Sequence, residues 1–339
     1  MFLRRTILST CVASALAACS GMAWAQQAKE VKLGYALAIN SHYGAAAQAW
    51  SDSVEKATNN AFKFKQFPSS ALGGERELIE GLQLGTVEAV IVSTGALSNF
   101  VPDVGVVDIP FLFRDTAHAR AVLDGSFGQD LLGKFKARGL IALAWGEQGF
   151  RHLSNNKVAV SKPEDLKGLK IRVVGSPLFL DTFSALGANP TQMSWADAQP
   201  ALASGAVDGQ ENPISIFTAA KLHTVGQKYV TMWGYICDPL VFVVNKDIWN
   251  SWTPADREIV RQAAIDAGKE ETALARKGLV EADKPLLKEI AGHGVNVVQL
   301  SPAEREAFVK ATRPVYDKWK NTIGADLVTQ AEKSIAARK

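Results

Sequence analysis

Apolar and polar positions alternate at a period of two in several short stretches, and most are followed by a segment whose apolar residues recur every three or four positions. Residues 31–37 predict a strand, and Asn40 or Ser41 caps a helix over about 43–57 with Ala45, Ala46, Ala49, Trp50 and Val54 on its apolar side. Residues 62–67 alternate as a second strand. Gly73-Gly74-Glu75-Arg76-Glu77 then opens a helix that Gly85 ends, with its acids in the first turn where the helix dipole favours them. Residues 87–92, apolar except for Glu88, predict a buried strand, with Ser93-Thr94-Gly95 as a polar loop at its carboxyl end. The apolar, Pro-bearing stretch 109–113 suits a loop packed between lobes.

The second half repeats the scheme. Residues 141–145 predict a strand leading into Gly146-Glu147-Gln148-Gly149-Phe150-Arg151, where two glycines around a polar run suit a crossing between lobes. Residues 169–174 predict a strand, 177–186 a helix, and Ser194 caps a helix over 195–204. Gly205 to Pro213 reads as a Gly-rich turn that delivers Asn212. Further strands are expected at 228–232, 240–244 and 295–300, with Asp238 and Pro239 as breakers. A long helical pattern runs from 254 to about 290, with Pro285 as a kink or interruption, and Ser301 caps the terminal helices. The class is α/β. The expected division is residues 26–148 with about 237–277 in lobe I, and about 149–236 with about 278–339 in lobe II and the C-terminal helices.

The chemistry centres on Arg172, which has apolar neighbours on both sides in its strand. A buried guanidinium stays charged and needs an anion or a dense set of acceptors, and its planar fork matches a carboxylate. Trp195, first in its helix, offers an aromatic wall beside it. Arg151 is either a second positive contact or the partner of Glu147 or a surface acid. Ser41, His42 and Tyr43 sit at a helix mouth of the kind that attracts anions. Ser93 and Thr94 lie at a strand's carboxyl edge, where open α/β sheets collect ligands.

Composition removes other classes. Of 339 residues, 47% are hydrophobic and 21% charged, which is ordinary for a globular chain long enough for two lobes. Residues 1–25 resemble an export signal: Arg4 and Arg5, an apolar middle, and Ala23-Trp24-Ala25 before the expected cleavage. Leu16-Ala17-Ala18-Cys19 also fits a lipobox, so an anchor at Cys19 is the alternative. Removing the leader lowers the formal net charge of +3 by two, and a near-neutral surface argues against nucleic-acid binding. Beyond the leader only Cys237 remains, which excludes an internal disulfide. No phosphate loop, dinucleotide fingerprint, nucleophile elbow or metal-ligand spacing occurs, so no cofactor, metal or catalytic residue is expected. Asp208 and Glu211 are carboxylates without a visible catalytic partner.

Together, residues 71–86, Gly149-Phe150-Arg151, Leu166 to Val173, Gly187-Ala188-Asn189-Pro190 and Gly205 to Pro213 resemble the solute-binding proteins of tripartite ATP-independent periplasmic (TRAP) transporters. The resemblance implies a periplasmic, two-lobed Venus-flytrap fold with crossing hinge strands and a long helix spanning both lobes. It implies that Arg172 pairs with a ligand carboxylate, that Arg151 and Asn212 assist, and that Trp195 is the cleft aromatic. Glu75, Ser93 and Thr94 match positions near the far end of the ligand in some members. The implied partners are a small organic acid and the TRAP permease, with no membrane contact except through it. Members that bind sialic acid carry an acid at the position of Ser93 and an asparagine at that of Ala36, so a sugar acid of that kind is not expected. With Trp145, Phe150, Trp195 and Phe217 near in sequence, the expectation is a smaller, partly apolar acid: aromatic, keto or hydroxy. A periplasmic enzyme acting on organic acids and a ligand-presenting adaptor for a sensor kinase are the alternatives.

Overall fold

Strand β1 (Lys29–Tyr35) pairs in parallel with β2 (Phe62–Phe67) and β3 (Ala89–Ser93) in the computed structural model, which describes residues 28–338. The leader, its cleavage site and Cys19 lie outside the described residues. Strand β4 (Leu140–Phe150) and strand β10 (Cys237–Asn245) complete the first sheet, in the order β2-β1-β3-β10-β4, with β10 antiparallel to both neighbours. Alternate residues face opposite cores. Ala89 and Ile91 pack with Trp50 and Val260 on the side of the helices His42–Ala57 and Pro254–Arg276, while Val90 and Val92 pack with Leu78, Leu82 and Leu131. Burial on both faces explains the unbroken apolar runs.

The second sheet has six strands in the order β11-β9-β5-β8-β6-β7. They are β5 (His152–Asn155), β6 (Lys170–Val173), β7 (Asn189–Gln192), β8 (Gly209–Asn212), β9 (Tyr229–Met232) and β11 (Asn296–Gln299). The stretch expected to be a Gly-rich turn is in part a buried strand: β8 lies between β5 and β6, and only Gly205, at φ +73, ends the preceding helix as a turn. Gly209 is needed there for packing, because a Cβ would sit 2.3 Å from the Ser154 carbonyl oxygen.

Two strands cross between the lobes as one antiparallel ladder. Pairing of β4 with β10 ends at Phe150 and Cys237, the Arg151 N–H donates to the Ile236 carbonyl (2.9 Å), and β5 then pairs with β9. Asp238 and Pro239 do not break the strand as expected. Pro239 lies inside β10 at a register shift opposite Glu147, where a missing N–H is tolerated. Gly149, at φ +108, lies opposite Asp238 at the same irregularity.

The long helical pattern is shorter than expected. The helix runs Pro254–Arg276 and packs along the first lobe. Gly278, at φ +81, and Pro285 keep residues 277–284 out of the helix, and a separate helix Pro285–Gly292 follows. The C-terminal helices return across the molecule: Arg313–Ile323 packs against Pro177–Ala185, and Ala325–Ala336 against Thr116–Leu123 of the first lobe.

Candidate functional site

Arg172 sits in β6 between β7 and β8, so both edges of its strand are paired and its side chain is only 4% exposed. Nε and Nη2 both donate to the Met193 carbonyl oxygen, at 3.0 and 2.8 Å. No acid of the described residues lies within 4.0 Å of its nitrogens. Burial lowers its pKa to about 10, which leaves it charged at neutral pH. Its Cζ lies 5.7 Å from the Trp195 ring centroid. Ser194, which accepts the Asp197 N–H at 3.2 Å, fixes Trp195 at the start of its helix.

Across from Arg172 stands Glu75, first residue of the helix Glu75–Leu84. One carboxylate oxygen accepts the Ser93 N–H at 2.8 Å. Burial raises the Glu75 pKa to about 7, helped by Asp238 and opposed by the Ser93 N–H, Arg172 and Arg151. Glu75, Ala96 and Asn99 of the first lobe and Arg172, Met193 and Trp195 of the second enclose a cavity of about 410 Å³. On the far side of Trp195 a further space of about 560 Å³ lies between Ala36, Ser69 and Ser70 and the face of Gln199 and Pro200. The lobes touch at one rim, where Asn99 Nδ2 donates to the Gly175 carbonyl at 2.5 Å and Ser98 Oγ meets Ser176 Oγ at 3.2 Å.

Arg151 has a different environment. It is 1% exposed and uses four of its five N–H groups internally. Glu211 takes two of them on its carboxylate and one on its carbonyl, and Asp238 takes the fourth. Tyr235 adds a 2.6 Å hydrogen bond to Glu211. The expected alternative partner, Glu147, is instead paired with Arg276. Arg151 thus ties β5, β8 and β10 together where the chain crosses between lobes.

Other expected contacts also face elsewhere. Thr94 is buried and donates to Asp108 at 2.7 Å inside the first lobe. The Ser93 side chain is buried, and its backbone is what positions Glu75. Asn212 is buried and donates to Gln210 within the second sheet. Phe217 is a core residue of the second lobe, beside Leu202, Val207 and Leu222, and not a cleft aromatic. Trp145 is likewise core, held by a hydrogen bond to the Gly128 carbonyl. Phe150 and Glu147 line a separate crevice at the crossing. His42 lines another crevice and points Nε2 at Glu271, 3.9 Å away. Sequence reasoning missed Asp238, Tyr235 and Arg276. An aspartate within the apolar run Tyr235 to Val244 was the available signal, since such a charge requires a buried cation.

Comparison with known proteins matches residues 33–322 to the model of bacterial extracellular solute-binding protein, family 7. A TRAP periplasmic solute binding protein from Ralstonia eutropha H16, crystallised with (S)-2-hydroxy-2-methyl-3-oxobutanoate, is 53% identical; 91% of this chain and 99% of that one align, with a TM-score of 0.89. One from Bordetella bronchiseptica, with density interpreted as pantoate, is 42% identical over 90% and 99% of the chains (TM-score 0.84). A third from Polaromonas sp. JS666, bound to D-erythronate, is 40% identical over 90% and 98% (TM-score 0.83).

Proposed function

The chain belongs to bacterial extracellular solute-binding protein family 7, the TRAP solute-binding proteins, which capture small organic acids, and from that premise we propose that it holds the acid's carboxylate on Arg172. The observation that carries this reading is the buried, charged guanidinium whose only hydrogen-bond partner among the described residues is the neutral Met193 carbonyl. A carboxylate bound to its remaining N–H groups is a charge-assisted pair in a desolvated site. Trp195 covers the guanidinium and supplies apolar wall, and Glu75 lines the same cavity from the first lobe. The ligand class is a short hydroxy or keto acid. The relatives crystallised with acetolactate, pantoate and erythronate support it, and a cavity of about 410 Å³ suits acids of that size.

Ligand touching both lobes favours the closed form, because only that form makes both sets of contacts. The closed protein then delivers its cargo to the TRAP permease and does no chemistry on it. Export with cleavage after Ala25 fits this role, with an anchor at Cys19 as the alternative processing. A thermal-shift screen against organic acids tests the reading: short hydroxy and keto acids should raise the melting temperature, and stabilisation by sialic-acid-type sugars alone would overturn it.

A further inference from the structure

The charges around the cleft do not balance evenly. Arg151 is consumed by Glu211 and Asp238, and Arg276 by Glu147. Arg76, at the outer edge, is exposed and paired with Glu80. Among the described residues Arg172 is therefore the one buried cation of the cavity wall, and Glu75, Glu77 and Asp197 line the same space. One carboxylate of a ligand neutralises Arg172. A second carboxylate in the same space meets Glu75 and Glu77 from the first lobe and no buried cation of the described residues.

Glu75 is the lining acid of the first lobe that a backbone N–H holds in place. The Ser93 N–H fixes its Oε1, and Oε2 receives no hydrogen bond from the described residues. That oxygen has lone pairs for a hydroxyl donor and offers nothing to an anion. A four-carbon diacid is small enough for the cavity, so discrimination here is by charge and not by volume.

Building on the organic-acid reading above, we propose that Glu75 sets selectivity: its free oxygen accepts a ligand hydroxyl and its charge rejects a second carboxylate, so the cleft takes hydroxylated monocarboxylates over diacids of equal length. D-erythronate and meso-tartrate form a matched probe pair, differing only in CH₂OH against carboxylate at one end. Like charges brought together in a desolvated site cost several kcal/mol, so wild-type protein at pH 8 should prefer erythronate by roughly a hundredfold in calorimetry. Glu75→Gln keeps the shape and removes the charge. It should bring tartrate affinity up by about tenfold or more while erythronate changes less, narrowing the ratio. Glu75→Ala should narrow it as well, with weaker erythronate binding, and thermal melts of both variants check folding. A ratio unchanged in both folded variants, or wild-type binding of tartrate as tight as erythronate, would overturn the proposal. If wild type binds neither acid nor 2-hydroxy-2-methyl-3-oxobutanoate, the organic-acid reading itself fails and takes this proposal with it.

Discussion

Arg172 is oriented by Met193 through two hydrogen bonds to a single backbone carbonyl, so a neutral acceptor aims the guanidinium and no acid of the described residues is paired with it. A lysine at this position keeps the charge but not the fork that grips Met193 and a carboxylate together. Arg172→Lys should lower affinity for a hydroxy acid by more than about tenfold, with little change in the apo melting temperature. Titration calorimetry and a thermal melt measure both, and wild-type affinity in the variant would contradict this assignment.

Arg151 should behave in the opposite way. Its removal leaves Glu211 and Asp238 buried without a cation, which typically costs roughly 3–5 kcal/mol. Arg151→Met is expected to lower the urea midpoint strongly in the absence of any ligand. A variant of wild-type stability that has lost binding would instead make Arg151 a ligand contact.

His42 makes stability depend on pH. Burial lowers its pKa from the ordinary 6.5 to about 4, and Glu271 is the acid facing it, at 3.9 Å. Between those values the unfolded chain binds a proton that the folded chain does not. Its contribution is complete above 6.5 and is lost as pH falls to about 4, on the order of 3 kcal/mol at full extent. Burial raises the pKa of Glu271, which gives the opposite slope above the usual carboxylate range, so the readout is a difference. Unfolding free energies of wild type and His42→Gln should diverge with rising pH from 4 to 6.5. Parallel curves would contradict the assignment.

Gly209 is required by strand pairing. A methyl group there meets the Ser154 carbonyl oxygen at 2.3 Å and the Asn155 Cβ at 2.8 Å. Gly209→Ala should destabilise by a few kcal/mol, the range for forced overpacking, as read from denaturant melts. A neutral outcome would mean that β5 and β8 are not paired as described.

The contrast between Gly209 and Arg172 shows what the sequence reveals. The helix Trp195–Ser204 and strand Phe62–Phe67 were legible to the residue, because periodicity and a Ser cap mark them locally. Arg172 was legible as a buried cation because its neighbours in the strand are apolar. Gly205 to Pro213 misled, since glycine, asparagine and proline are turn formers, yet Gly209 is glycine for lack of space and not for a positive φ. The split between Arg151 and Arg172 was not legible. Both are buried arginines, Arg172 within β6 and Arg151 between β4 and β5, and what separates them is Asp238, far away in sequence, together with Glu211. Phe217 and Trp145 were drawn toward the cleft by nearness in sequence, but the cores of the two lobes claim them.

The most direct test is a crystal structure of the protein with a short hydroxy acid bound, refined to place the carboxylate. Its oxygens should lie within hydrogen-bonding distance of Arg172 Nη1 and Nη2, with Arg151 still paired to Glu211 and Asp238. A carboxylate seated on Arg151 with those acids displaced, or a ligand leaving Arg172 untouched, would contradict the account.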